Sequence, residues 1–253
     1  RILSDGETAR SALKPIGSGY HGLTVDLNTR EIRNISLESA SDEEIKDTIK
    51  VMGGEDWELW IEELMKRDLL AQGFITTNYT YIGSEVTWPI YNQGTIGRAK
   101  EDLERAARAI SQRSSKKEGA AYLAVMKGLV TQAASAIPGM SVYLSLLFKI
   151  MKEKNLHEGC IEQAYRFFSE ELYSGAQINT DRSGRIRLDT YELLKEVQDY
   201  VSENWSNFNI DTMDRIADFE GYRKDFMQIY GFDFENVDYD KEVSPDSDMT
   251  LYP

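Results

Sequence analysis

The stretch from Gly73 to Met126 constrains the fold more than any other part of the chain. Gly73 to Ile82 is rich in β-branched and aromatic residues and reads as a strand. Thr95 to Arg113 is an amphipathic helix, with Ile96, Ala99, Leu103, Ala106 and Ile110 stepping by three and four. Ala120 to Met126 reads as a second strand. A strand, a helix and a strand in this order suit a parallel pair, which needs a long crossover between its members. The centre of the chain therefore predicts an α/β fold with a parallel sheet.

On either side the pattern changes. Arg1 to Leu37 is expected to be extended, with a turn at Asn28-Thr29. Ser41-Asp42-Glu43-Glu44 is a capping box that opens a short helix ending near Gly53-Gly54. A second helix follows, with Trp57, Trp60, Ile61 and Leu64 on one face. Val142 to Lys154 predicts a buried helix, and Ile161 to Leu172 another with Ala164, Tyr165 and Phe168 inward. Asp181 to Gly184 suggests a small hairpin. Tyr191, Leu194, Val197, Val201 and Trp205 mark a late helix, and Tyr222 to Tyr230 the last. This helical excess predicts an appended helical subregion. The division expected is an extended segment over 1–37, a strand–helix core with its helical addition over 38–231, and an acidic surface tail over 232–253.

Charge and cysteine content narrow the functional classes. A net charge of −14, with Lys and Arg scattered among the acids, gives no nucleic-acid footprint and no affinity for anionic membranes. The longest apolar stretch, Ile137 to Met151, is interrupted by Pro138, Gly139, Ser141, Ser145 and Lys149, too short and polar to span a bilayer. The single cysteine, Cys160, fits a reducing, cytoplasmic setting and reads as a core thiol. The chain begins at Arg1, so its natural N-terminus is expected upstream.

Two motifs match by letter and fail by context. Gly17 to Gly22 reads G-x-G-x-x-G, but Pro15 precedes it and no helix follows, so a loop is expected rather than a phosphate cradle. Asn179 to Ile186 opens like an EF-hand loop, yet Thr190 stands where the bidentate carboxylate belongs. His21 and His157 have no second ligand at metal spacing, so no metal is expected.

The run from Tyr81 to Lys100 is the candidate site. Tyr81, Tyr91 and Lys100 flank a glycine-punctuated turn that opens the strong helix, and strand ends leading into helices are where α/β sheets place ligands. By residue type alone, packed tyrosines with a solvated lysine are the favoured reading.

This Tyr-x8-Lys run resembles the active-site segment of FabV-type NADH-dependent enoyl-acyl carrier protein reductases, also known as trans-2-enoyl-CoA reductases. Ser11 to Gly17, Val51 to Trp60, Leu129 to Ala133, Leu156 to Gln163 and Gly221 to Lys224 extend the resemblance over nearly the whole chain. The family is a Rossmann-like, enlarged relative of the short-chain dehydrogenase/reductases. The resemblance implies reduction of the trans-2 double bond of an enoyl thioester in fatty acid synthesis, on acyl carrier protein or coenzyme A. It implies Tyr91 as proton donor, Lys100 on the nicotinamide ribose and the phenol, Tyr81 on the substrate thioester, and Leu129, Val130 and Thr131 around the nicotinamide. It also implies that these residues are the C-terminal catalytic portion of a longer Rossmann domain. An N-terminal half holding the pyrophosphate loop would then be a necessary partner. Members are monomers or dimers.

Spacing adds one statement of its own. Nine residues of regular helix rotate by about 180°, so Tyr91 and Lys100 can converge only if the backbone departs from helix between them. Gly94 and Gly97 permit that. The longer spacing also counts against a carbonyl reductase with Tyr and Lys four apart. The remaining alternative is a catalytically inert helical interaction module. In the chemistry implied, the Lys100 ammonium is expected to lower the Tyr91 phenol from its ordinary pKa of about 10.

Overall fold

The computed structural model describes residues 1–244, so the end of the acidic tail, 245–253, lies outside the described residues. β1 (Tyr20–Val25) and β2 (Ile32–Leu37) pair antiparallel. Their turn forms because the Asp26 carboxylate accepts from the N–H groups of Asn28 and Thr29. Gly17 to Gly22 runs from a turn into β1, with no helix after it, as the sequence suggested. α1 (Asp42–Met52) carries the predicted capping box, with Ser41 and Glu44 each accepting from the other's N–H.

α2 (Glu55–Lys66) buries Trp57 and Ile61, which lie four apart. Trp60 is 70% exposed, against expectation. Three residues of helix turn it past the edge of a narrow contact stripe. Trp57 does more than pack, because its indole N–H donates to Thr76 on the neighbouring strand at 2.9 Å.

β3 (Ile75–Thr80), α3 (Thr95–Arg113) and β4 (Ala120–Val125) form the crossover unit. β3 and β4 run parallel, from Ile75 beside Ala120 to Thr80 beside Val125. All five positions of the predicted α3 stripe are buried. Leu103 and Ile110 meet Trp57, Ile61 and Leu123 between the helices and the sheet, and truncating Leu103 to Ala would cost about 3 kcal/mol. The other edge of β3 has no strand beside it among the described residues.

α4 (Gln132–Ser135) is one turn long, and α5 (Met140–Glu153) is buried nearly all round. α6 (Cys160–Arg166) widens into a π-helical turn over Phe167–Leu172. Here the inward face differs from the expected one: Gln163 and Phe167 are buried, while Tyr165 and Phe168 are exposed. Gln163 tolerates burial because its amide donates to the Leu188 carbonyl and accepts from the Lys127 N–H.

The turn at Asp181 to Gly184 is present, but it is not a hairpin. β5 (Arg185–Arg187) leaves it to pair parallel with β4, so the sheet order is β3-β4-β5. α7 (Lys195–Trp205), α8 (Met213–Ile216) and α9 (Phe219–Ile229) complete the helical subregion. Val197, Val201, Phe219 and Tyr222 pack against α5 in the largest core cluster. Tyr191 and Leu194 precede α7 and remain partly exposed. No described helix is long and apolar enough to cross a membrane.

Candidate active site

The C-terminal ends of β3 and β4 open on one cleft. Tyr81 directly follows β3. The chain then turns at Gly83 and is folded back by two bonds, Thr87 hydroxyl to Ser84 carbonyl at 2.9 Å and Trp88 indole to Gly83 carbonyl at 3.2 Å. This loop delivers Tyr91, and α3 begins only at Thr95. Tyr91 and Lys100 are thus not on one continuous helix, as their spacing required. The Ala12 to Lys14 segment brackets the helix start: the Thr95 hydroxyl donates to Ala12 and its N–H to the Lys14 carbonyl.

Gly97 is where the backbone comes closest. A Cβ there would stand 1.7 Å from the Asn92 carbonyl oxygen, so only glycine lets the loop lie on the first turn of α3.

Tyr81, Tyr91, Lys100, Leu129 and Thr131 line a cleft of about 480 Å³. A second cavity of about 700 Å³ lies alongside and shares both tyrosines and Lys100 with it. Tyr81 and Tyr91 meet edge to face, with centroids 5.1 Å apart at 70°. Leu129 and Thr131 stand where the sequence suggested, and the Thr131 hydroxyl accepts from the Ala134 N–H while keeping its own proton free to donate. The Val130 side chain turns instead into the core around α5. Only its backbone reaches the cleft region, where its carbonyl faces the Cys160 thiol at 3.6 Å.

Two expectations are corrected here. Burial pushes the Tyr91 phenol well above its ordinary pKa. Desolvation is the one cause of that shift, with no offset from Lys100, and it also lowers the proton affinity of Lys100 in the same cleft wall. The Tyr91 hydroxyl is accordingly neutral, not an incipient phenolate. Tyr81 lines the cleft as expected and donates its hydroxyl proton to Glu192 at 2.8 Å. Cys160 is exposed rather than in the core, because it stands at the first position of α6 on the cleft rim.

Sequence reasoning missed two buried charges. Glu192 is fully buried, and burial raises its carboxyl against the bonds it accepts from Tyr143, Gly128 and Tyr81. Lys127 is 1% exposed, donates to the Gly128 carbonyl at 2.8 Å and lies 5.0 Å above the Phe148 ring. Desolvation pushes its ammonium down to about 8. Neither has a local signal, since the donors to Glu192 and the Phe148 ring beneath Lys127 are far away in sequence.

Residues 1–173 match the family described as the trans-2-enoyl-CoA reductase catalytic region. The chain belongs to the trans-2-enoyl-CoA reductase family. Residues 180–243 match a second family, described as the enoyl reductase FAD binding domain. An enoyl-[acyl-carrier-protein] reductase [NADH] of Serratia proteamaculans is 48% identical over 244 residues, covering 96% of this chain and 61% of that protein. The protein of the same name from Coxiella burnetii (strain RSA 493 / Nine Mile phase I) is 49% identical over 239 residues, 94% of this chain and 59% of that protein. The Clostridium acetobutulicum trans-2-enoyl-CoA reductase in complex with NADH superposes with a TM-score of 0.92 at 44% identity, covering 95% of this chain and 61% of that one. The Treponema denticola trans-2-enoyl-CoA reductase in complex with NAD gives 0.90 at 46%, covering 96% and 61%. The chain thus spans about three fifths of the length of these relatives. The fold of this trans-2-enoyl-CoA reductase family member is the Rossmann-like short-chain dehydrogenase/reductase type, with α3 crossing between parallel strands and Tyr91 and Lys100 at its start.

Proposed function

We propose that this chain carries the catalytic residues for NADH-dependent reduction of the trans-2 double bond of an enoyl thioester, with acyl carrier protein or coenzyme A as the carrier, in fatty acid synthesis. One observation carries the reading: Tyr91, Lys100 and Thr131 meet on a single, largely apolar cleft at the C-terminal ends of parallel strands. The cleft would hold a nicotinamide ring among the apolar side chains of Leu129, Ile137 and Met140, and the Thr131 hydroxyl would be available to its carboxamide. When bound there, NADH supplies the hydride for the β-carbon of the enoyl group. Tyr91 donates to the thioester oxygen, where negative charge grows as the double bond is reduced, and its neutral state suits that task. Lys100 donates to ribose hydroxyls beside it. The Tyr81 ring braces Tyr91 and borders the acyl thioester.

The apolar faces of α7 and α9 within residues 180–243 are packed against α5 rather than presented to a flavin ring. No step here passes through one.

The pyrophosphate end of the dinucleotide is assigned to a partner segment N-terminal to these residues. The edge of β3 that no described strand pairs supports that division. The single free cysteine supports a cytoplasmic setting.

The test is NADH oxidation by the natural full-length protein with a 2-enoyl thioester, beside a 3-oxo thioester. Turnover of the enoyl substrate alone is expected. Turnover of the 3-oxo substrate alone would replace this reading with a carbonyl reductase, and turnover of neither would leave a binding module.

A further inference from the structure

Glu192 lies in the segment between β5 and α7 and has no contact with solvent. Its Oε1 accepts from the Tyr143 hydroxyl at 2.6 Å and from the Tyr81 hydroxyl at 2.8 Å. Its Oε2 accepts from the Gly128 N–H at 2.5 Å. These donors belong to three different walls of the cleft: the chain after β3, the turn after β4, and α5. Gln198 on α7 holds the assembly from behind, donating to the Glu192 carbonyl at 2.7 Å and to the Tyr143 oxygen at 3.3 Å.

Gly128 is held from both sides. Its N–H points to the Glu192 carboxylate and its carbonyl to the Lys127 ammonium. It also fits tightly, since a Cβ there would stand 2.8 Å from a Leu144 methyl. The turn that carries Leu129 and Thr131 into the cleft therefore starts from a point held by two buried charges. The Tyr81 ring, whose hydroxyl is directed at the same carboxylate, is what Tyr91 packs against.

We propose that Glu192 is a positioning residue for the reduction, placing the Tyr91 phenol through Tyr81 and the nicotinamide-side turn through Gly128. The proposal rests on the reductase reading above. A residue needed only to fill space could be apolar. A buried carboxylate carries a desolvation cost, and three directed donors offset it while fixing geometry that packing alone leaves free.

The variant that separates these roles is Glu192→Gln, equal in size. Its amide can accept on one side only, so its NH2 group must face either the two phenols or the Gly128 N–H. In the natural full-length protein, E192Q is expected to lower kcat at least tenfold while KM for NADH stays within twofold. Tyr81→Phe is expected to lose turnover too, and the double variant to be no worse than the weaker single one within twofold, because both act through one link. Fully multiplicative losses, or a kcat for E192Q within twofold of the parent, would overturn the proposal and leave the reductase assignment standing. Should E192Q not fold, the Y81F and Tyr143→Phe pair tests the same link through the oxygen they share, with non-additive losses expected and additive ones overturning it. If the parent reduces no enoyl thioester, the reductase reading fails. Amide exchange over residues 127–131 then decides the positioning: faster exchange in E192Q supports it, and unchanged exchange overturns it.

Discussion

The backbone N–H of Gly97 donates to the carbonyl of Tyr91 at 3.1 Å, tying the candidate proton donor to the first turn of α3. This bond exists only because Gly97 has no side chain. Gly97→Ala would drive a methyl into the Asn92 carbonyl, and the neighbour it meets is backbone, which cannot swing away. The expected cost is about 2 kcal/mol or more. In a domain of this size that lowers Tm by roughly 4–8 °C. Scanning calorimetry checks it, and an unchanged Tm would mean that the loop relaxes freely.

In the proposed reduction the hydroxyl of Tyr91 serves where charge develops on the substrate rather than in holding the cofactor. Tyr91→Phe in the full-length protein is therefore expected to lower kcat by about 10²-fold, the usual scale for removing one preorganised donor. Its dissociation constant for NADH should be nearly unchanged. Burial holds the phenol protonated above its ordinary range, so the parent should not lose turnover through Tyr91 ionisation between pH 7 and 9. Equal turnover in parent and variant would remove Tyr91 from the chemistry.

What could be read from the sequence depended on how local the determinant was. The α3 stripe and the Ser41 capping box are set by residues three or four apart, and both stand as expected. The Tyr91 to Lys100 spacing even foretold a break in the helix. Gln163 and Glu192 were illegible for the opposite reason. Gln163 is buried because of Leu188 and Lys127, and Glu192 because of Tyr81, Gly128 and Tyr143. β5 has only three residues, and its parallel pairing is decided by β4 rather than by its own pattern. The lowering of Tyr91 by Lys100 was misjudged because a sequence gives proximity but not desolvation.

Lys100 lines the cleft, and no side-chain partner engages its ammonium among the described residues. Burial in the cleft wall disfavours its charged form, and a ligand hydroxyl would restore part of the lost solvation. Lys100→Ala is expected to weaken NADH binding by about tenfold, the scale of one hydrogen bond to a charged group, and to reduce turnover with it. Isothermal titration gives the binding term. A dissociation constant equal to that of the parent would make Lys100 an ordinary helix residue.

Lys127 gives a stability prediction with a definite sign. Its folded ammonium titrates at about 8, whereas the unfolded group titrates near 10.5. Between these values the unfolded chain binds more protons than the folded one, so this group makes stability rise as pH rises through that window. Below pH 8 both states are charged and the slope vanishes. Lys127→Met removes the titration but keeps the length and apolar stem. The parent-minus-variant difference in unfolding free energy should therefore grow by roughly 2–3 kcal/mol from pH 7 to pH 10. Any constant cost of leaving the Gly128 carbonyl without its donor cancels in that comparison. Urea midpoints at the two pH values measure it, and a difference that stays flat would show that Lys127 keeps its proton across the whole range.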